Sequence, residues 1–238
     1  MKNKYLVYDL IRKGKFVSSE KIQAVEAAMK RNTVTINWWC RQSGKSLTAI
    51  KIATDLVTTK TEKIVTIVVN SISSRTSMMG LLQKSINKDL INRTTLNFIE
   101  LKTGSMIKVV TSTNKSENYG ILMASLLKES DIFIVDEYDY IAPENMDMIL
   151  SVVEKSQNLT FLGKIARFFG MIPSHKVLFF SSKYNSRNHT ELVLRLGDHA
   201  SFTYLNYDRL GLDKEKLVRM LGQDAFEREY NSYNPLYT

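Results

Sequence analysis

One cysteine, three prolines and ten glycines in 238 residues rule out several kinds of protein at once. With Cys40 alone, no disulfide framework can form, which removes the small disulfide-stapled scaffolds and fits a reducing, intracellular compartment. The three histidines, His175, His189 and His199, show no metal-ligand spacing and have no second cysteine to join. They are read as surface or structural, and no Cys–His metal cluster is expected. Scarce proline and glycine, without repeats or low-complexity tracts, argue against a long linker. Residues 1–5 lack an apolar signal core, and no run approaches the ~20 apolar residues needed to span a bilayer, so no membrane association is expected.

What is present describes a globular chain: 44% hydrophobic and 24% charged residues. A chain of this length buries one substantial core, so residues 1–238 are expected to form a single domain. Its core is placed at about 18–207 and a helical C-terminal part at about 208–238. Thirty-three Lys and Arg against 24 Asp and Glu give a net charge of +9. That balance fits a polyanionic partner, and scattered surface lysines would give the same total.

The chain is organised around Asn37-Trp38-Trp39-Cys40-Arg41-Gln42-Ser43-Gly44-Lys45-Ser46-Leu47. An apolar run, Val34-Thr35-Ile36, precedes it, and Leu47, Ile50, Ile52, Ala53, Leu56 and Val57 follow at helix-like spacing. Strand, short loop and helix form the context in which Gly-Lys-Ser reads as a phosphate-binding loop. The first backbone N–H groups of a helix lack intrahelical partners and carry the positive end of its dipole, so a loop over Arg41, Gln42, Ser43, Gly44, Lys45 and Ser46 can wrap a triphosphate. Gly44 permits close backbone approach, Lys45 reaches the β- and γ-phosphates, and the Ser46 hydroxyl holds Mg²⁺. Trp39 stands where the general pattern has its first glycine.

A partner motif follows. Asp131-Ile132-Phe133-Ile134-Val135-Asp136-Glu137 is a run of strand formers ending in two carboxylates, the form of a buried parallel strand that delivers acids to its carboxyl edge. Asp136 is expected to support Mg²⁺ through water, and Glu137 to orient and deprotonate the attacking water. A further buried strand, His175-Lys176-Val177-Leu178-Phe179-Phe180, ends in Ser181, Ser182 and Lys183, where a sensor of the γ-phosphate belongs.

Elsewhere, residues 1–17 read as a basic amphipathic lead-in or short helix. A helix capped at Ser18 or Ser19 runs to about Lys30 and carries Gln23, either an adenine reader or a solvent-facing residue. A strand is expected at 63–70, a helix from Ser73 or Ser74 to about Leu90 with Met78 and Met79 in the core, and a hairpin of 95–100 with 106–111 across Gly104. Pro143 opens a helix to about Lys155, a helix falls at 188–196, a strand at 201–205, and helices follow from Asp213. The basic residues at 164–167 and 183–187 are candidates for DNA contact or ordinary solvated surface.

In their order along the chain, Arg41-Gln42-Ser43-Gly44-Lys45-Ser46, Ile134-Val135-Asp136-Glu137-Tyr138-Asp139-Tyr140-Ile141, Phe179-Phe180-Ser181-Ser182-Lys183 and Ala225-Phe226-Glu227-Arg228-Glu229-Tyr230 resemble the ATPase domain of large terminase subunits, the DNA-packaging motors of tailed phages and herpes-type viruses. The loop without its first glycine is the most specific element. The resemblance covers residues 23–230 and implies an ATPase using ATP and Mg²⁺ to move double-stranded DNA into a preformed capsid in the host cytoplasm. The motor would be a homo-oligomeric ring docked on a portal protein and assisted by a small terminase subunit, and a monomer in isolation.

By position, the resemblance puts Lys45, Ser46, Asp136 and Glu137 in the roles above. It gives Arg41 the task of stabilising γ-phosphoryl charge, Gln23 that of reading adenine, and Ser181, Ser182 and Lys183 that of coupling hydrolysis to movement. Where many relatives place an Arg-Gly pair that acts on a neighbouring subunit, this chain has Tyr119-Gly120, so Arg41, Arg167 or Arg187 would have to serve. A complete large terminase continues into an RNase H-like nuclease; here that nuclease is expected to be excised, absent or separately encoded, and residues 1–238 are not expected to cut DNA.

The expected fold is a three-layer α/β sandwich of the phosphate-loop ATPase class, with a mainly parallel central sheet and a small helical lid. A helicase-like DNA translocase and a nucleotide-responsive assembly module with little turnover are the alternatives.

Overall fold

Runs such as Val34-Thr35-Ile36, Ile64-Val65 and Ile132-Phe133-Ile134-Val135 are apolar at both odd and even positions, so each must be covered on both faces. A computed structural model shows how this is met; it describes residues 7–9, 18–113, 118–157, 175–182, 186–205, 207–210 and 212–230. The strands are β1 (Val7–Asp9), β2 (Val34–Trp39), β3 (Ile64–Val69), β4 (Ile91–Thr94), β5 (Phe98–Leu101), β6 (Met106–Thr111), β7 (Ile132–Asp136), β8 (Lys176–Ser181) and β9 (Ala200–Leu205). They form one sheet in the order β1-β9-β2-β8-β7-β3-β6-β5-β4. All pairings from β1 to β6 are parallel, and only β6–β5 and β5–β4 are antiparallel.

The helices among the described residues are α1 (Ser18–Arg31), α2 (Lys45–Thr59), α3 (Ile72–Ser85), α4 (Tyr119–Glu129), α5 (Pro143–Gln157), α6 (Arg187–Leu196), α7 (Lys214–Leu221) and α8 (Gln223–Glu229). Strand side chains alternate between the faces. Ile132 and Ile134 of β7, with Leu178 and Phe180 of β8, pack under Val25 of α1, Ala49 and Ala53 of α2, and Met79 and Leu82 of α3. Phe133, Val135, Val177 and Phe179 face the other way, onto Met123 and Leu127 of α4, Ile149 and Val153 of α5, and Leu192 and Leu196 of α6. The result is the expected three-layer α/β sandwich of the phosphate-loop ATPase class, with α7 and α8 as its small helical lid.

The buried strands and the β5–β6 hairpin lie where expected, and Met78 and Met79 are core residues. Two edges differ. Within residues 1–17, expected as a lead-in or short helix, Val7–Asp9 is a strand that pairs in parallel with β9, Val7 opposite Phe202, and covers what would otherwise be an exposed edge. At the opposite edge, the helix expected to reach Leu90 ends at Ser85, and Ile91–Thr94 adds a strand to the hairpin.

Trp39 explains its own departure from the phosphate-loop pattern. It is the last residue of β2 rather than part of the turn, so its backbone does not need glycine's freedom. Its side chain is fully buried, edge-on to Phe180 with ring centroids 5.8 Å apart. The indole N–H donates to Thr203 Oγ1 (2.8 Å), Thr203 donates to Asn37 Oδ1 (2.5 Å), and Asn37 Nδ2 donates to the Phe179 carbonyl (3.2 Å). This chain of bonds ties β9, β2 and β8 together beneath the loop. Trp39→Gly, which restores the general pattern, is expected to lower stability by about 3–5 kcal/mol, as for other large-to-small core changes. Urea unfolding measures it, and a loss under about 1 kcal/mol would contradict this packing.

Candidate active site

The parallel arrangement sends the carboxyl ends of β2, β8 and β7 to one edge of the sheet, with β8 between the other two. At the end of β2 the chain turns through residues 40–44 into α2. Gln42 (φ 63°) and Gly44 (φ 82°) take the left-handed conformation, and the turn leaves the first α2 amides without intrahelical partners. Gly44 is constrained by this φ; an added Cβ would meet Lys21 Nζ only at an ordinary contact distance of 3.5 Å.

Two contacts join this loop to the acidic strand. Ser46 Oγ donates a 2.7 Å hydrogen bond to Asp136 Oδ2. Lys45, almost fully buried, places Nζ 3.5 Å from Glu137 Oε1 and also donates to the carbonyls of Trp39 (3.4 Å) and Cys40 (3.3 Å). Glu137 itself is left-handed at φ 53°, a conformation unusual for a residue with a side chain.

Four buried oxygens at this edge have no hydrogen-bond partner in the protein: Ser43 Oγ, Asp136 Oδ1, Glu137 Oε2 and Ser181 Oγ. Their gathering on three neighbouring strand ends is what a polar ligand site requires, since buried polar atoms are otherwise nearly always paired. A hydroxyl and a carboxylate oxygen within 2.7 Å of each other, beside the free Asp136 Oδ1, are a donor set that fits Mg²⁺, which takes oxygen ligands and draws most of them from phosphates and water. Among the described residues, no group of three or more His, Cys, Asp or Glu side chains is arranged to hold a metal.

The remaining expected residues are placed less uniformly. Arg41 pairs through its guanidinium with Glu229 of α8, and its backbone N–H donates to the Glu229 carbonyl at 2.8 Å. The Cys40 N–H donates to Leu205 of β9, also at 2.8 Å, so the lid and β9 both fasten the loop. Gln42 and Gln23 are exposed. Ser182 is buried beside Ser181, whereas Lys183 lies outside the described residues, as do Lys164 and Arg167. Tyr119 is fully buried and cannot present a group to a neighbouring molecule; Arg187 is exposed and sits 3.7 Å from Asp147.

Lys21 is the residue that the sequence reading missed. Its ammonium donates to the Ser43 carbonyl, and burial pushes it below the ordinary lysine range. Its helix phase carried the signal, because Lys21, Val25 and Ala28 recur at i, i+4 and i+7 and the latter two are fully buried.

No protein-family model and no curated protein sequence matches the chain. Solved structures do. The large terminase of a thermophilic bacteriophage aligns over 92% of this chain and 53% of its own at TM-score 0.61 and 12% identity. The HK97 bacteriophage large terminase aligns over 96% and 52% at TM-score 0.60 and 11% identity. A Thermus phage large terminase ATPase domain aligns over 92% and 93% at TM-score 0.55 and 11% identity. The thermophilic-phage protein has also been solved with ADP and with ATP-γ-S. The chain thus has the fold of phage large-terminase ATPase domains, and it spans about half the length of the whole terminases.

Burial, then the neighbouring charge of Glu137, pushes the Asp136 carboxyl up to about 6, against the opposing pull of Ser46 and Lys45. The folded state therefore binds this proton more tightly than the unfolded chain. Asp136 favours folding below its ordinary 3.8, and that contribution is lost as pH rises through about 6. Asp136→Asn is expected to raise stability at pH 8, without nucleotide or metal, by roughly 2–3 kcal/mol. The gain should shrink as pH is lowered from 6 toward 4. Urea unfolding across that range checks it; a gain independent of pH would contradict the placement.

Proposed function

We propose that the chain is the ATP-hydrolysing motor domain of a viral DNA-packaging machine of the large-terminase type. The observation that carries this is the Ser46–Asp136 hydrogen bond with Glu137 beside Lys45, which puts a phosphate-binding helix and a pair of acids in one site. The fold shared with phage terminase ATPase domains, one of them solved with ADP, supports it.

In this reading Lys45 and the amides of the loop from Arg41 to Ser46 bind the β- and γ-phosphates. Ser46 and Asp136 hold Mg²⁺, which supplies charge neutralisation at the phosphates. Glu137 orients a water for in-line attack on the γ-phosphorus and takes its proton as the bond to the β-phosphate oxygen breaks. Ser181 and Ser182 sense the γ-phosphate, and Lys183 extends that coupling motif. Arg41 exchanges Glu229 for the γ-phosphoryl oxygens, and Gln23 reads the base. Residues 1–238 act as one ATPase domain, core 18–207 and lid 208–238. The partners are double-stranded DNA, a portal protein, a small terminase subunit and further copies in a ring, in the host cytoplasm. No helix among the described residues is long and apolar enough to cross a membrane.

One observation favours a second reading, a nucleotide-responsive assembly module with little turnover: Arg41 is held by Glu229, and Tyr119 replaces the family's arginine and is buried. ATP hydrolysis at low salt, with and without double-stranded DNA, separates the two. The motor reading expects turnover that falls at least about a hundredfold in Glu137→Gln while ATP affinity stays within about twofold. Tight ATP binding without turnover in either protein would favour the assembly module.

A further inference from the structure

The left-handed turn that carries Glu137 does not hold itself. Two backbone bonds close it, from the Tyr140 N–H to the Glu137 carbonyl (3.0 Å) and from the Ile141 N–H to the Tyr138 carbonyl (3.2 Å). The rest of its support comes from the first turn of α6. Asn188 Nδ2 donates to the carbonyls of both Tyr138 (2.9 Å) and Ile141 (2.8 Å), clamping the two ends of the turn. Ser186, which caps α6 by accepting from the His189 N–H at 3.0 Å, donates its hydroxyl proton to Asp139 Oδ1. The Tyr138 hydroxyl lies 2.7 Å from His189 Nδ1. Burial pushes His189 down to about 4, so the ring is neutral and a single hydrogen bond joins it to the phenol.

All of these side chains are buried, with Tyr138 fully so. His189 also packs tilted against Trp38 of β2, ring centroids 4.2 Å apart, which fixes it from the side of the loop that follows β2. Buried hydrogen-bond networks of this kind fix a geometry rather than merely add stability. Residue 137 is where such fixing matters, because a carboxylate displaced by about 1 Å from the attacking water loses much of its effect.

We infer that Asn188, with Ser186 and His189, forms a positioning clamp that holds the backbone of residues 137–141 in the conformation in which Glu137 acts. The inference rests on the proposed ATPase. It assigns to α6 a task beyond packing: the helix that follows β8 in the chain also sets the reach of the catalytic carboxylate. A shift of α6 would therefore change hydrolysis without touching the phosphate loop.

The test compares Asn188→Ala and Tyr138→Phe, alone and combined with Glu137→Gln, in steady-state and single-turnover ATP hydrolysis. The first variant removes both clamp bonds; the second deletes one hydroxyl and keeps the ring, so it reads out even where Asn188→Ala fails to fold. The expected result is a kcat about ten- to a hundredfold lower with KM and ATP affinity within about twofold. That loss should disappear in the Glu137→Gln background, since a clamp that works through this carboxylate has nothing left to position. A loss that persists there, a parallel rise in KM, or an unchanged kcat despite a lower Tm would overturn the clamp and leave a structural role.

Absence of turnover in the unmodified chain would count against the ATPase reading instead. Amide hydrogen exchange then decides the clamp. Asn188→Ala should speed exchange at Tyr140 and Ile141 and leave the α2 amides unchanged, whereas unchanged exchange at Tyr140 and Ile141 overturns it.

Discussion

The hydrogen bond from Ser46 to Asp136 joins residues 90 positions apart, and most of the architecture can be understood as what is needed to make it. It requires β2 and β7 to run in the same direction, with β8 alone between them and their ends level. Parallel strands need crossovers, the crossovers are helices, and helices on both faces demand strands that are apolar throughout. The unbroken runs in β2, β7 and β8 are thus a precondition for the site. The phosphate loop is then fastened from outside the sheet by α1 through Lys21, by β9 through Leu205 and by α8 through Glu229. The acidic turn is fastened by α6.

Strain and buried charge gather at the same edge. Of the three non-glycine residues with positive φ among the described residues, Gln42 and Glu137 belong to this site. Such conformations cost about 1–3 kcal/mol each and persist only where the surroundings over-determine them. Around Glu137 the surroundings are Asn188, Ser186 and His189; around Gln42 they are the anchored amides of Cys40 and Arg41. Lys45 is buried and satisfied by two carbonyls and a carboxylate, while Asp136 keeps an unpaired oxygen. Stability is given up at the strand ends and recovered in the two apolar layers beneath them.

The sequence carried the layers and the core of the site because both depend on local pattern. Val34-Thr35-Ile36 and Ile132-Phe133-Ile134-Val135 are runs of strand formers and form doubly covered strands, and Gly44-Lys45-Ser46 falls where the strand passes into the helix. What escaped depends on contacts between distant segments. Val7–Asp9 and Ile91–Thr94 are short edge strands whose formation is decided by a neighbour rather than by their own periodicity. The place of Trp39 in the motif depends on its indole N–H bond to Thr203, 164 residues away. The pairing of Arg41 with Glu229 spans 188 residues, beyond any local pattern. The grip of Asn188 on the turn from Tyr138 to Ile141 left no trace in either segment's pattern, because an asparagine at a helix start reads as an ordinary polar residue.

The central claim is that Ser46 and Asp136 act as one cation-dependent phosphate site with Lys45. Calorimetric titration of ATP, with Mg²⁺ and with EDTA, into the unmodified chain and Ser46→Ala tests it most directly. The account predicts that Mg²⁺ tightens ATP binding to the unmodified chain and that Ser46→Ala loses this dependence while retaining its Mg²⁺-free affinity. Equal enhancement by Mg²⁺ in both proteins would contradict it, because the cation would then be held without the hydroxyl that joins the two halves of the site.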